Sequence, residues 1–168
     1  VPAATFAQSQ PDWCYISCGT WSLMGVELDA PNLSQACQLF NFTNEGGVGG
    51  SVRLLKNISG LWIVQQCREQ WRREGRDLGW SELSRLASEA TSMMAVIDPD
   101  DASFGAPVNM PEAIQDYCRR TNQQVPKSEG ELIRCALESL ALKYRMVLEM
   151  LEQLVGQPLF TIHMVGGG

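Results

Sequence analysis

The 168-residue chain carries 13 Lys and Arg against 19 Asp and Glu, a net charge of −6, which excludes the clustered basic surface of a nucleic-acid binder. A hydrophobic content of 45% excludes wholesale disorder and suits one domain with a real core. No apolar run reaches the roughly 20 residues that cross a bilayer, and no basic-then-apolar leader opens the sequence, so a cytoplasmic protein with no membrane partner is expected.

The chain opens at Val1 rather than Met and stops within Val165-Gly166-Gly167-Gly168; the expectation is a single-domain fragment, 1–168, truncated at both ends. Six cysteines stand at 14, 18, 37, 67, 118 and 135, with no Cys-x-x-Cys pair and one histidine, His163. That pattern predicts no structural zinc and, in the cytoplasm, free thiols. The sequons at Asn41 and Asn57 carry no weight without secretion. The basic cluster Arg68 to Arg76 is broken by Glu69 and Glu74 and reads as a solvated helix face.

Val1 to Asp12 is small and polar, a frayed entry. Trp13–Ser17 and Thr20–Glu27 read as a hairpin closed by Gly19-Thr20. Such a turn serves either as a plain reversal or as a phosphate cradle, since glycine admits close backbone approach and the threonine hydroxyl can donate. Leu33–Phe42 predicts a strand near its end. Thr43 to Gly50 reads as a glycine loop without Gly-x-Gly-x-x-Gly spacing, and no Gly-Lys-Ser/Thr occurs, so neither a dinucleotide fingerprint nor a P-loop is present.

Leu54 to about Arg73 predicts a helix with Leu54, Ile58, Leu61 and Trp62 on one face, in which Gly60 costs about 1 kcal/mol relative to Ala. Ser81 to Ala90 predicts a second helix with Ser81 as N-cap. Met93–Ile97 reads as a short strand or extended piece. Asp98–Val108 is a loop whose Asp98, Asp100 and Asp101 suit a solvated turn, a cation or a sugar hydroxyl. Pro111 to Arg120 predicts a short helix. Ser128-Glu129-Gly130-Glu131 is a capping box opening the longest helix, with Ile133, Leu137, Leu140, Tyr144, Val147, Leu151 and Leu154 facing the core. Gly156 and Pro158 end it, and Leu159–Val165 is a strand, with His163 a strand side chain. Cys118 and Cys135 flank a segment that folds two helices back on each other, so their sulfurs are expected to meet, bridged or as free thiols.

A strand running into glycines at its carboxyl end is a nucleotide-site pattern in open α/β sheets, so the Gly19-Thr20 turn and Gly166-Gly167-Gly168 together point to a nucleotide.

These stretches, with Thr43-Asn44-Glu45-Gly46-Gly47, Leu55-Lys56-Asn57-Ile58-Ser59-Gly60-Leu61-Trp62 and Asp98-Pro99-Asp100-Asp101, resemble the FGGY family of carbohydrate kinases over nearly the whole chain. The resemblance implies an α/β fold of the ribonuclease-H-like, actin-like ATPase type, a mixed sheet with flanking helices. The chain would be most of the second of two domains that close over ATP and sugar. It implies ATP and Mg²⁺ as cofactors, a ketose such as L-rhamnulose as substrate, and a first kinase domain as the absent partner. By resemblance Thr20 contacts phosphates, Gln65 faces ATP, Gly167 approaches the adenosine and Asn57 faces the sugar, while Lys56 is a surface lysine and no metal ligand is assigned.

The family's general base is an aspartate in a Gly-His-Asp-Thr-like segment, which this sequence lacks; Asp12 has no such context. The chain alone is therefore expected to be inactive and to expose an apolar face that favours self-association. Alternatives at this stage are another FGGY sugar kinase or a non-catalytic actin-like nucleotide-binding domain.

Overall fold

The computed structural model describes residues 12–167, so the frayed entry, apart from Asp12, and Gly168 lie outside the described residues. Trp13, Cys14, Tyr15 and Ile16 are all buried, a continuous apolar run that marks a strand covered on both faces. It forms β1 (Trp13–Cys18), in the interior of a five-stranded sheet. β2 (Trp21–Leu28) pairs with it antiparallel, Tyr15 opposite Gly25 and Cys18 opposite Ser22. On its other side β5 (Thr161–Gly166) runs parallel, Trp13 opposite Thr161 and Cys18 opposite Gly166. β3 (Thr43–Gly46) and β4 (Val52–Ser59) pair antiparallel and complete the order β3-β4-β2-β1-β5. Gly25 lies against Leu54 and Leu55 while Glu27 accepts a hydrogen bond from Ser51. Positions rise along β2 as they fall along β4, so these strands are antiparallel and the sheet is mixed.

Residue contacts divide the chain into two compact units, Val1–Ile58 with Tyr144–Gly168, and Ser59–Lys143. The first holds the sheet. Its short helix α1 (Gln35–Leu39) stands where a strand is expected over Leu33–Phe42, because Ser34 caps it through the Cys37 N–H at 3.2 Å. Lys56 Nζ donates to the Phe40 carbonyl at 2.7 Å, closing the other end. The expected glycine loop from Thr43 is β3 for four residues and then a 3-10 turn over Val48–Gly50, with Gly49 at φ 68°.

The helix expected from Leu54 begins only at α2 (Trp62–Arg73). Leu54 and Leu55 are both fully buried, and a strand covered on both faces shows the same apolar density as a buried helix. Gly60 sits in the buried turn between β4 and α2 and carries no helix-interior penalty.

The second unit is helical. α2, α3 (Trp80–Glu89), α4 (Met110–Arg120) and the first half of α5 (Glu129–Val155) enclose a core of Ile63, Cys67, Trp71, Leu83, Ile97, Phe104, Ile114, Cys118, Ile133 and Cys135 among others. α3 starts one residue earlier than expected, with Gly79 rather than Ser81 as N-cap. Arg68 lies 4.8 Å from the Trp80 ring centre. Met93–Ile97 is no strand: Met93 is at φ 54°, and the backbone of Val96 exchanges two hydrogen bonds with the Gln123 amide, at 2.8 and 2.7 Å. The Ile97 N–H is taken by Ser139 Oγ at 2.9 Å, so side chains do what a neighbouring strand would do.

Two sequence expectations hold closely. The helix expected over Pro111 to Arg120 is α4, which starts one residue earlier and is capped by Asn109. The capping box at α5 is complete: Ser128 Oγ accepts from the Glu131 N–H at 3.2 Å, and Glu131 accepts from the Ser128 N–H at 3.0 Å. Along α5 the stripe is buried at Ile133, Leu140, Val147 and Leu151 but not at Leu137. Cys118 and Cys135 lie in the same core cluster as buried free thiols, with no bridge between them. Burial pushes the Cys135 thiol up to about 12, which keeps it protonated and a poor nucleophile.

The sheet leaves no room for a side chain at Gly25: a Cβ there would lie 2.4 Å from the Leu54 carbonyl oxygen and 2.7 Å from Leu55 Cβ. Backbone cannot yield as a flexible side chain can, so Gly25→Ala is expected to cost about 3 kcal/mol, read as a lowered urea midpoint; an unchanged midpoint would contradict the packing described.

Candidate nucleotide and sugar site

The hairpin turn between β1 and β2 is short because Cys18 and Ser22 still face each other and the Gly19 N–H donates to the Trp21 carbonyl at 3.1 Å. Thr20 is left exposed at the tip, and no described residue takes up its hydroxyl. β5 ends beside this turn. Gly166, at φ 120°, lies so close to Cys18 that a Cβ would sit 2.1 Å from the Cys18 carbonyl oxygen. Only glycine supports both the left-handed backbone and that approach. Gly167 follows, exposed.

Since β1 and β5 are parallel, Thr20 and Gly167 lie just beyond the carboxyl ends of neighbouring strands, where ligands bind in open α/β sheets. β4 runs antiparallel to β2, so exposed Asn57 near its end belongs to this same end of the sheet. Three of the four residues expected at the site thus share one end of the first unit. Beneath the turn, Tyr144 Oη and Ser22 Oγ are 2.5 Å apart and Cys18 Sγ is 3.7 Å from the same phenol. Sequence reasoning missed this contact; the one signal was a tyrosine in an otherwise aliphatic stripe.

Gln65 belongs to the second unit. It stands in the first turn of α2, half-buried, with its backbone N–H on the Leu61 carbonyl at 2.8 Å. Its side-chain amide, like that of Asn57, has no partner among the described residues. The turn leading to it is braced: Asp100 accepts from the Ser59 N–H at 2.9 Å, and Trp62 Nε1 donates to the Phe104 carbonyl at 3.1 Å.

The other polar candidates are used within the protein. Lys143 bridges Asp98 and Asp100, at 2.9 Å to each. Partial burial alone would raise the Asp100 pKa, but the Ser59 N–H and Lys143 outweigh it and hold the carboxyl below its usual range. Asp101 accepts from Ser103 and pairs with Arg120 at 2.9 Å, which lowers it to about 2. Of the three readings open for these acids, the geometry is that of an internally paired turn. Among the described residues no group of three or more His, Cys, Asp or Glu is placed to hold a metal ion. His163 in β5 meets the Trp13 ring edge-on at 5.7 Å. Lys56 is half-buried and spent on the end of α1.

Residues 14–168 match the FGGY family of carbohydrate kinases, C-terminal domain. The chain is 48% identical over 157 residues to a rhamnulokinase from Bacteroides thetaiotaomicron, covering 94% of this chain and 32% of that protein. It is 47% identical over 158 residues to a rhamnulokinase from Pectobacterium carotovorum, covering 94% and 31%. It therefore spans about a third of the length of the curated relatives it matches. Among solved structures it resembles a xylulose kinase from Rhodospirillum rubrum, with TM-score 0.61, 15% identity and coverage of 93% and 30%. A xylulose kinase from Bifidobacterium adolescentis gives TM-score 0.57, 18% identity and coverage of 99% and 30%. These likenesses show the fold, an α/β mixed sheet with flanking helices of the actin-like ATPase type. The free hydroxyl, the glycine approach and the paired strand ends are thus features of a chain that belongs to the FGGY family of carbohydrate kinases and corresponds to its C-terminal domain.

Proposed function

We propose that the full-length protein is an ATP-dependent ketose kinase that converts L-rhamnulose to L-rhamnulose 1-phosphate in the cytoplasm. The observation that carries this reading is the meeting of the Gly19-Thr20 turn with Gly166-Gly167 at the carboxyl ends of two parallel strands. The identity of 48% to a rhamnulokinase supports the choice of sugar. Among the described residues no helix is long and apolar enough to cross a membrane.

In this reading the Thr20 hydroxyl donates to a nucleotide phosphate, Gly167 lets the backbone approach the adenosine, Gln65 orients ATP and Asn57 holds the sugar. Bound with ATP, Mg²⁺ supplies charge neutralisation on the transferring phosphoryl group. The chain's own residues do the positioning, on which phosphoryl transfer chiefly depends. The base that accepts the sugar hydroxyl proton, and the first domain, are assigned to the two-thirds of the relatives' length that this chain does not span.

The isolated chain is proposed to self-associate through β5. That strand is a sheet edge, and Phe160, Ile162 and Met164 are 79%, 43% and 61% exposed along one face. Such an edge, without Lys or Pro to blunt it, invites pairing. Sedimentation of the isolated chain is expected to show concentration-dependent association, and a monomer at every concentration would count against it.

The enzymatic reading is tested in the full-length protein with L-rhamnulose, ATP and Mg²⁺. ADP release that needs the sugar is expected. Thr20→Val, which keeps the shape and removes the hydroxyl, is expected to lower kcat/KM for ATP by about 2 kcal/mol, the loss of a hydrogen bond to a charged group. Unchanged kinetics would return the turn to a plain reversal.

A further inference from the structure

The turn stands on a hydrogen-bonded cluster of three side chains. Ser22 Oγ and the Tyr144 phenol are 2.5 Å apart, Cys18 Sγ lies 3.7 Å from the same phenol, and Ser22 Oγ is placed to donate to Cys18 Sγ at 3.9 Å. Ser22 is fully buried and Cys18 nearly so, and away from bulk water a hydrogen-bonded cluster holds its members firmly. Burial, the largest influence on Tyr144, pushes its pKa up, so the phenol stays protonated across the working pH range. Cys18 and Ser22 are also the last facing pair before the turn. The backbone that carries Thr20 therefore leaves the sheet from the two residues that Tyr144 touches.

Cys18 has a second neighbour, Gly166, whose Cα approaches its carbonyl from β5. A shift of Cys18 thus displaces both the threonine turn and the strand that leads to Gly167.

We propose that Tyr144 is a positioning residue for nucleotide binding: through Ser22 and Cys18 it fixes the turn that presents Thr20 and the strand end that presents Gly167. This rests on the nucleotide reading of those two loops. Tyr144 contacts the two residues that flank the threonine turn, so in this proposal its effect falls on ATP rather than on the sugar.

The test uses the full-length protein, with ATP affinity read by isothermal titration calorimetry and with KM and kcat read separately. Tyr144→Phe keeps the ring and removes the hydroxyl; it is expected to raise the Kd and the KM for ATP about three- to tenfold, with kcat and the KM for L-rhamnulose unchanged. Ser22→Ala, which breaks the same cluster, is expected to move ATP affinity in the same direction, and the double variant to do no worse than the poorer single one. Both variants binding ATP as the parent does, with or without a lower Tm, would overturn the proposal while leaving the nucleotide reading in place. Equal changes in the KM for ATP and for the ketose would also overturn it, since they report general loosening. A parent protein that binds no ATP would overturn the nucleotide reading, and this inference with it.

Discussion

The parallel pairing of β1 with β5 is the constraint on which the site depends. These strands are far apart in sequence, and bringing them together costs loop-closure entropy that burial of Trp13, Cys14, Tyr15 and Ile16 must offset. Their register then decides what meets at the strand ends. With Cys18 opposite Gly166, the hairpin turn and the terminal glycines lie side by side. A slip of one residue would turn every side chain of β5 to the other face and place a side chain where Gly166 now lies against the Cys18 carbonyl. Glycine at 166 is therefore a condition of the pairing as much as a feature of the site.

In both units, polar groups divide by whether the fold already uses them. Lys56, Asp98, Asp100 and Asp101 are engaged in caps and ion pairs. The Thr20 hydroxyl and the amides of Asn57 and Gln65 have no protein partner among the described residues. Thr20 and Asn57 stand at the open end of the sheet, where polar side chains that the protein does not satisfy are what a ligand requires. Tyr144 and Ser22 belong to a third kind: satisfied by each other, and placed so that their bond sets where the turn stands.

Much of this was legible in the sequence because local signals carried it. Gly19-Thr20 between apolar runs, the Ser128–Glu131 box and the strand entering Val165-Gly166-Gly167 each announce an element without reference to the rest of the chain. The failures came where tertiary packing overrides local pattern. Leu54 and Ile58 lie on one face of a strand as they would on one face of a helix, and the pairing of β4 with β3, which local pattern does not show, tells the two apart. Val96 and Ile97 look like a strand because they are apolar and β-branched, yet Gln123 and Ser139, distant in sequence, take their backbone hydrogen bonds. The Tyr144 contact was illegible for a related reason: its partners are more than 100 residues away in the chain, and a helix stripe tells which face is buried but not what that face meets.

The central claim is that the Gly19-Thr20 turn and the Gly166-Gly167 segment form one nucleotide site. Amide hydrogen exchange on the full-length protein, with and without a non-hydrolysable ATP analogue and Mg²⁺, tests it most directly. The account predicts that both segments gain protection together, at the same analogue concentration. Protection confined to one of them, or to neither while the analogue is bound, would contradict it.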